Sequence, residues 1–221
     1  MECVGAECTL LAMTRLLAVA VTLLSLAAPS AAHAASLTTQ PAKPCYRSGE
    51  SISFVGTGFT PSSTANLTRD GVFVSPIPTD LNGQFNATLK LQLDQGTQSR
   101  TYTATDANNP GLSASAPVTV SAVGVALSPR NGGVSRRFRI RARGFTTGRT
   151  LWAHIVHRRS QRRVKVGRLN GPCHNLRARK RLLAADASFG KHRIQFDTFR
   201  RYKRDRAVKA TYTIRVVRGG Q

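Results

Sequence analysis

Acidic residues are scarce in this chain, with 10 Asp and Glu against 33 Lys and Arg in 221 residues, and the shortage is local. Residues 126–221 hold 27 Lys and Arg but only three acids, Asp186, Asp197 and Asp205, whereas residues 35–125 hold five of each sign. A net +24 therefore lies beside zero. Cysteine is also sparse: beyond the N-terminal leader only Cys45 and Cys173 remain. No apolar stripe at helical spacing lasts three turns, which argues against a helical bundle. A glycosidase-like carboxylate pair, a nucleophile elbow and a phosphate-binding glycine loop are all missing. The sequence thus reads as no enzyme and implies no cofactor. Its charge points to anionic partners and says nothing about fold.

What is present begins with a leader. Arg15 precedes the apolar run Leu16–Leu26, followed by Pro29 and the small-residue site Ala32-His33-Ala34. That order matches a cleaved signal peptide over residues 1–34, with the mature chain starting at Ala35. Glu2 and Glu7 are out of place in a basic n-region, so Met13 is the better start. The apolar run is short for a membrane span. No Cys marks a lipid anchor, and Val216–Gln221 is no hydrophobic tail. The expectation is a secreted, cell-surface or envelope protein with no transmembrane segment in its mature part.

After the leader the chain repeats itself. Ser51–Thr60 (SISFVGTGFT) aligns with Arg137–Thr146 (RFRIRARGFT), and Asn82-Gly83 aligns with Asn170-Gly171. Further on, Thr101–Asp106 aligns with His192–Asp197, and Ala114–Val120 with Ala210–Val216. Phe85, Ala87, Leu89, Leu91 and Leu93 alternate with polar residues, as do Ala114, Ala116, Val118 and Val120, the pattern of half-buried strands. Asp70-Gly71, Asn82-Gly83 and Asn109-Pro110-Gly111 supply turns. About seven strands per 90 residues predicts an all-β chain of two tandem immunoglobulin-like β-sandwich domains. Their expected limits are 35–123, neutral, and 124–221, strongly basic. The short join near Ser121–Gly124 predicts an end-to-end arrangement with limited freedom.

The run from Ser51 to Phe59, with Gly56-Thr57-Gly58-Phe59 followed by Pro61, resembles the second strand and turn of bacterial Ig-like modules. Similar Gly-x-Gly-Phe turns occur in IPT/TIG-type and neocarzinostatin-type domains. The second copy keeps only Gly144-Phe145, with Ala142 in place of the first glycine. The resemblance implies a spacer, adhesive or binding module and supplies no catalytic residue.

The basic half carries two combs. Arg137, Arg139, Arg141 and Arg143 alternate with Phe138, Ile140 and Ala142, so a strand puts all four guanidinium groups on one face, about 6.6–6.8 Å apart. Arg177, Arg179 and Arg181 form a second comb, although Lys180 interrupts its apolar side and a helix over Leu176–Asp186 competes. In an Ig-like sandwich the combs fall on the second and fifth strands, which are neighbours. Facing Arg rows repel. The aligned Ser51, Ser53, Val55 and Thr57 are uncharged, so the fold does not require the charge. A codon bias supplies Arg but does not remove acids, which favours polyanion contact over a merely solubilising surface.

Arg200, Arg201, Lys203 and Arg204, with Tyr202 and Phe199, form another basic segment. It suits single-stranded nucleic acid or sugar phosphates, although a solvated hairpin tip is the simpler account. His154, His157, His174, His192 and Cys173 do not converge at ligand spacing, so no metal site is expected. Asp106 and Asp197, at equivalent strand ends, read as structural turn residues. The expected partners are anionic envelope polymers or acidic polysaccharides, with extracellular nucleic acid a further candidate. The competing reading is a structural or adhesive protein that recognises another protein. End-to-end domains would hold Cys45 and Cys173 too far apart for a bridge, which needs Cα atoms about 4.4–6.8 Å apart. No disulfide is therefore expected.

Overall fold

A computed structural model describes residues 34–157 and 160–217. The signal peptide expected over residues 1–34 lies outside the described residues, except for Ala34. The described residues from Ala35 onward form one compact unit. Among the described residues there are sixteen strands and no helix.

The first sandwich comprises β1 (Ser36–Gln40), β2 (Tyr46–Arg47), β3 (Ser51–Thr57), β4 (Thr64–Arg69), β5 (Val72–Pro78), β6 (Phe85–Lys90), β7 (Thr97–Asp106) and β8 (Ser113–Ser121). Its sheets have the orders β1-β3-β6 and β2-β8-β7-β4-β5. The second comprises β9 (Gly124–Ser128), β10 (Asn131–Gly132), β11 (Arg137–Arg143), β12 (Thr150–His157), β13 (Ser160–Arg168), β14 (Leu176–Arg181), β15 (Gly190–Asp197) and β16 (Ala210–Val216). Its orders are β14-β11-β9 and β10-β16-β15-β12-β13. Each strand of the second copy takes the place of the strand eight earlier in the first, down to the short parallel pairings of β2 with β8 and β10 with β16. This is the strand order of an immunoglobulin-like sandwich. The all-β, two-sandwich expectation holds.

Alternation explains the layers. Along β11, Phe138, Ile140 and Ala142 are buried and the four arginines between them are exposed. Ile52 and Phe54 do the same on β3. Each sandwich closes on its own apolar core: Phe54, Leu67, Tyr102 and Val118 in the first, and Phe138, Phe145, Leu151, Ile194 and Phe196 in the second. Burying each such side chain contributes about 1.5–3 kcal/mol.

The weakened turn motif has a packing reason. Gly56 lies opposite Phe85, and a Cβ on it would come within 2.1 Å of the Phe85 ring. In the second copy Ala142 lies opposite Leu176. The smaller Leu leaves room for the methyl group that Phe85 denies to residue 56. Gly58 and Gly144, which occupy the aligned turn position, both have positive φ, 78° and 73°.

The structure overturns the expectation about the cysteines. Cys45 and Cys173 form a disulfide with Cα atoms 5.2 Å apart. The expectation failed because it judged the positions by sequence order. Cys45 precedes β2, and Tyr46 on that strand pairs with Val120 at the end of β8, so it lies at the linker side of the first sandwich. Cys173 lies before β14, where its carbonyl accepts from Gly144 N at 3.1 Å. Gly144 follows Arg143, which pairs with Gly124 at the start of the second sandwich. Both cysteines therefore sit at the junction, and the bridge needs no folding back.

Candidate polyanion-binding face

The two combs form one surface. Strand β14 is a strand over Leu176–Arg181, not a helix, and it pairs antiparallel with β11. The register sets Arg137 opposite Arg181, Arg139 opposite Arg179 and Arg141 opposite Arg177. All seven comb arginines, Arg143 included, are exposed. On the other side of β11, Ser128, Ala126 and Gly124 lie opposite Arg139, Arg141 and Arg143. This gives two rows of guanidinium groups beside a shelf of small residues. Shallow grooves of about 270 and 200 Å³ lie along Arg139 and Arg141, one toward Arg177 and Arg179 and the other toward Ala126 and Ser128.

The electrostatics are one-sided. Among the described residues the ion pairs are Lys43–Glu50 and His154–Asp197, so no comb arginine has a carboxylate partner. Directly opposed like charges are destabilising. The same face of the first sandwich is a ladder of hydroxyls: Ser53 bonds Thr88 at 2.9 Å, and Ser36 bonds Thr57 at 2.8 Å.

The basic segment 200–204 does not join the combs. It lies in the loop between β15 and β16, which covers the outer face of the other sheet. That loop runs over residues 198–209, twice the length of its counterpart at 107–112. Three buried polar residues hold it down. His154 Nε2 donates to Phe199 O at 3.0 Å and to Asp197 Oδ1 at 3.3 Å. Gln195 Nε2 donates to Lys203 O and to Asp197 Oδ2, both at 2.8 Å. Phe199 N donates to Asp197 Oδ1 at 2.9 Å. Tyr202 packs on the His154 ring, and Arg206 lies 3.8 Å from the Phe199 ring centre. The segment is thus a cap pinned to the sheet through its backbone carbonyls, while the side chains of Arg200, Arg201, Lys203 and Arg204 are exposed.

Asp106 and Asp197 each end their strand and both are buried, but they are not equivalent. Asp106 lies opposite Ala65 on the core side and Asp197 opposite Trp152 on the outer side, so the alignment of Thr101–Asp106 with His192–Asp197 is one residue out of register. Burial alone would raise the Asp106 carboxyl, but the backbone N–H groups of Thr60, Asn108 and Asn109 outweigh it and hold the carboxyl below its usual value. Burial likewise opposes ionisation of Asp197, and hydrogen bonds from His154, Gln195 and Phe199 outweigh it. Side chains of His154 and Asp197 are both 0% exposed, so the pair cannot reach a substrate. Of the other described histidines, His157 stacks on His192 at 4.2 Å, while His174 lies apart, its Nδ1 bonded to Phe145 O at 2.8 Å.

Sequence reasoning missed further cations: Arg163 and Lys165 on β13, Lys191 and Arg193 on β15, and Arg215 on β16. All but the half-buried Arg193 are exposed. The alternation of Arg163, Val164, Lys165 and Val166 carried the signal for the first two.

No family model matches the sequence, and no curated protein matches it. Solved structures resemble it only loosely. The polymeric Ig receptor ectodomain of a teleost fish is 9% identical, with 85% of this chain and 100% of that chain covered and a TM-score of 0.32. The α2-macroglobulin of E. coli is 13% identical, with 83% of this chain but only 16% of that chain covered and a TM-score of 0.39. The fold assignment rests on strand order and register.

Proposed function

We propose that this chain is an exported, non-enzymatic envelope protein whose second sandwich binds anionic polymers through the outer face of β14-β11-β9. One observation carries the reading: six exposed arginines face one another in three cross-strand pairs, with Arg143 beside them, on a face without a carboxylate partner among the described residues, where the corresponding face of the first sandwich holds hydroxyls and one lysine, Lys90. Nothing in the fold demands that charge, so a ligand is the economical reason for it. Guanidinium groups suit phosphate-rich wall polymers or acidic polysaccharides because the planar fork bonds phosphate and carboxylate bidentately. The first sandwich serves as a neutral spacer, fixed to the second by Cys45–Cys173.

A second reading has its own observation. Val72 and Phe73, at the tip of the β4–β5 hairpin, are 63% and 59% exposed. Such a tip suits an adhesive contact with another protein. Titration of residues 35–221 with polygalacturonate and with long-chain polyphosphate separates the two readings. Polyanion binding that weakens steeply with salt supports the first. Salt-insensitive protein capture that Phe73→Ser abolishes supports the second. Stronger binding to single-stranded nucleic acid than to either polymer would move the ligand class.

A further inference from the structure

We infer that the second sandwich is bivalent: it carries polyanion-binding faces on both sheets and cross-links two polymer chains. The inference rests on the polymer-binding reading and extends it to a surface outside the combs. On the larger sheet, Ala153, Ile155, Ile194, Phe196 and Ile214 face the core. The residues alternating with them face outward. Register sets Lys191 opposite Arg215 on this outer face, and places Lys165 opposite Trp152 and Arg163 opposite His154. The cap adds Arg200, Arg201, Lys203 and Arg204 at one end, pinned by His154, Gln195 and Asp197. Against these cations stand Asp205, exposed in the cap, and Asp197, whose oxygens are already occupied.

Here too the first sandwich shows that the fold does not require the charge. Its corresponding face pairs Thr103 with Ser115 at 2.7 Å and Thr105 with Ser113 at 3.2 Å. Both outer faces of one sandwich have therefore become strongly cationic, whereas the longer strands of its sibling put a single charge, Lys90 opposite Ser51, on their outer faces. The two sheets lie about 10 Å apart, with their outer side chains pointing in opposite directions. An extended polymer lying on the combs cannot reach the other face without turning round the sandwich edge. Two polymers can occupy the two faces at once.

The test uses residues 35–221, long-chain polyphosphate, and two measurements on each sample: affinity by titration, and light scattering as the protein-to-polymer ratio is varied. One variant carries Arg137→Ser, Arg139→Ser and Arg141→Ser; the other carries Lys165→Gln, Lys191→Gln and Arg215→Gln. A control with Arg69→Gln, Lys90→Gln and Arg100→Gln removes the same charge from the first sandwich. Wild type and control should scatter strongly at intermediate ratios and clear in excess polymer. Each face variant should still bind, but its peak scattering should fall by about tenfold or more, because cross-linking needs both sites. Binding by wild type without scattering at any ratio overturns bivalency and leaves the polymer-binding reading standing. A face variant that scatters like the control overturns it too. Absence of binding by wild type at low salt overturns both.

Discussion

Arg139 lies directly opposite Arg179 in the second sandwich, at the place where Ser53 is hydrogen-bonded to Thr88 at 2.9 Å in the first. One fold thus holds an attractive pair and a repulsive pair at equivalent positions. The double variant Arg139→Ser, Arg179→Thr should stabilise the unliganded protein by about 0.2–1 kcal/mol, the usual range for one cross-strand pair. Denaturant unfolding at low salt checks this, and the gain should shrink as salt screens the repulsion.

Asp197 should govern acid stability. Its carboxyl, like those of Asp106 and Glu50, is held below the usual value by donors that outweigh burial. A depressed folded value means that the contribution is full above the unfolded value, about pH 4, and is lost as pH falls through the folded one. Asp197→Asn leaves a donor without an acceptor and should cost about 1–3 kcal/mol at neutral pH. Unfolding free energy between pH 7 and 2 should fall less steeply in the variant than in wild type.

Gly144 and Gly171 should respond differently to Ala, although their φ values, 73° and 72°, nearly match. A Cβ at Gly144 would lie 2.6 Å from Ala122 O in the linker, while one at Gly171 meets nothing within 4 Å. Gly171→Ala should cost about 1 kcal/mol from backbone strain alone, and Gly144→Ala clearly more. Thermal melts of the two variants side by side check the order.

The Cys45–Cys173 bridge spans 128 residues of sequence. Replacing both cysteines by Ser should lower unfolding free energy by about 2–5 kcal/mol. Non-reducing peptide mapping should recover the linked pair from the purified protein, and reduction should reproduce the variant's loss.

The sequence made the strands legible wherever one face is buried. Phe138, Ile140 and Ala142 fixed β11, and Ser51–Thr60 against Arg137–Thr146 fixed the repeat. It also placed the combs on neighbouring strands, because alternation fixes the face and Ig-like topology fixes the neighbour. The disulfide was not legible, since the two-residue β2 that carries Cys45 to the junction is too short to show periodicity. The cap was hidden for a related reason. Its anchors His154 and Gln195 lie on a sheet's outer face, where a buried polar residue and an exposed one look alike in sequence.

If the comb arginines contact anionic groups, the affinity of residues 35–221 for long-chain polyphosphate, measured across salt concentrations, must depend on them. Each contact releases condensed counterions, so log affinity should fall linearly with log salt. Removing Arg137, Arg139 and Arg141 as serines should weaken binding and reduce the steepness by about two to three units, close to one per lost contact. Equal affinity and equal slope in wild type and variant would mean that the comb arginines do not touch the polymer.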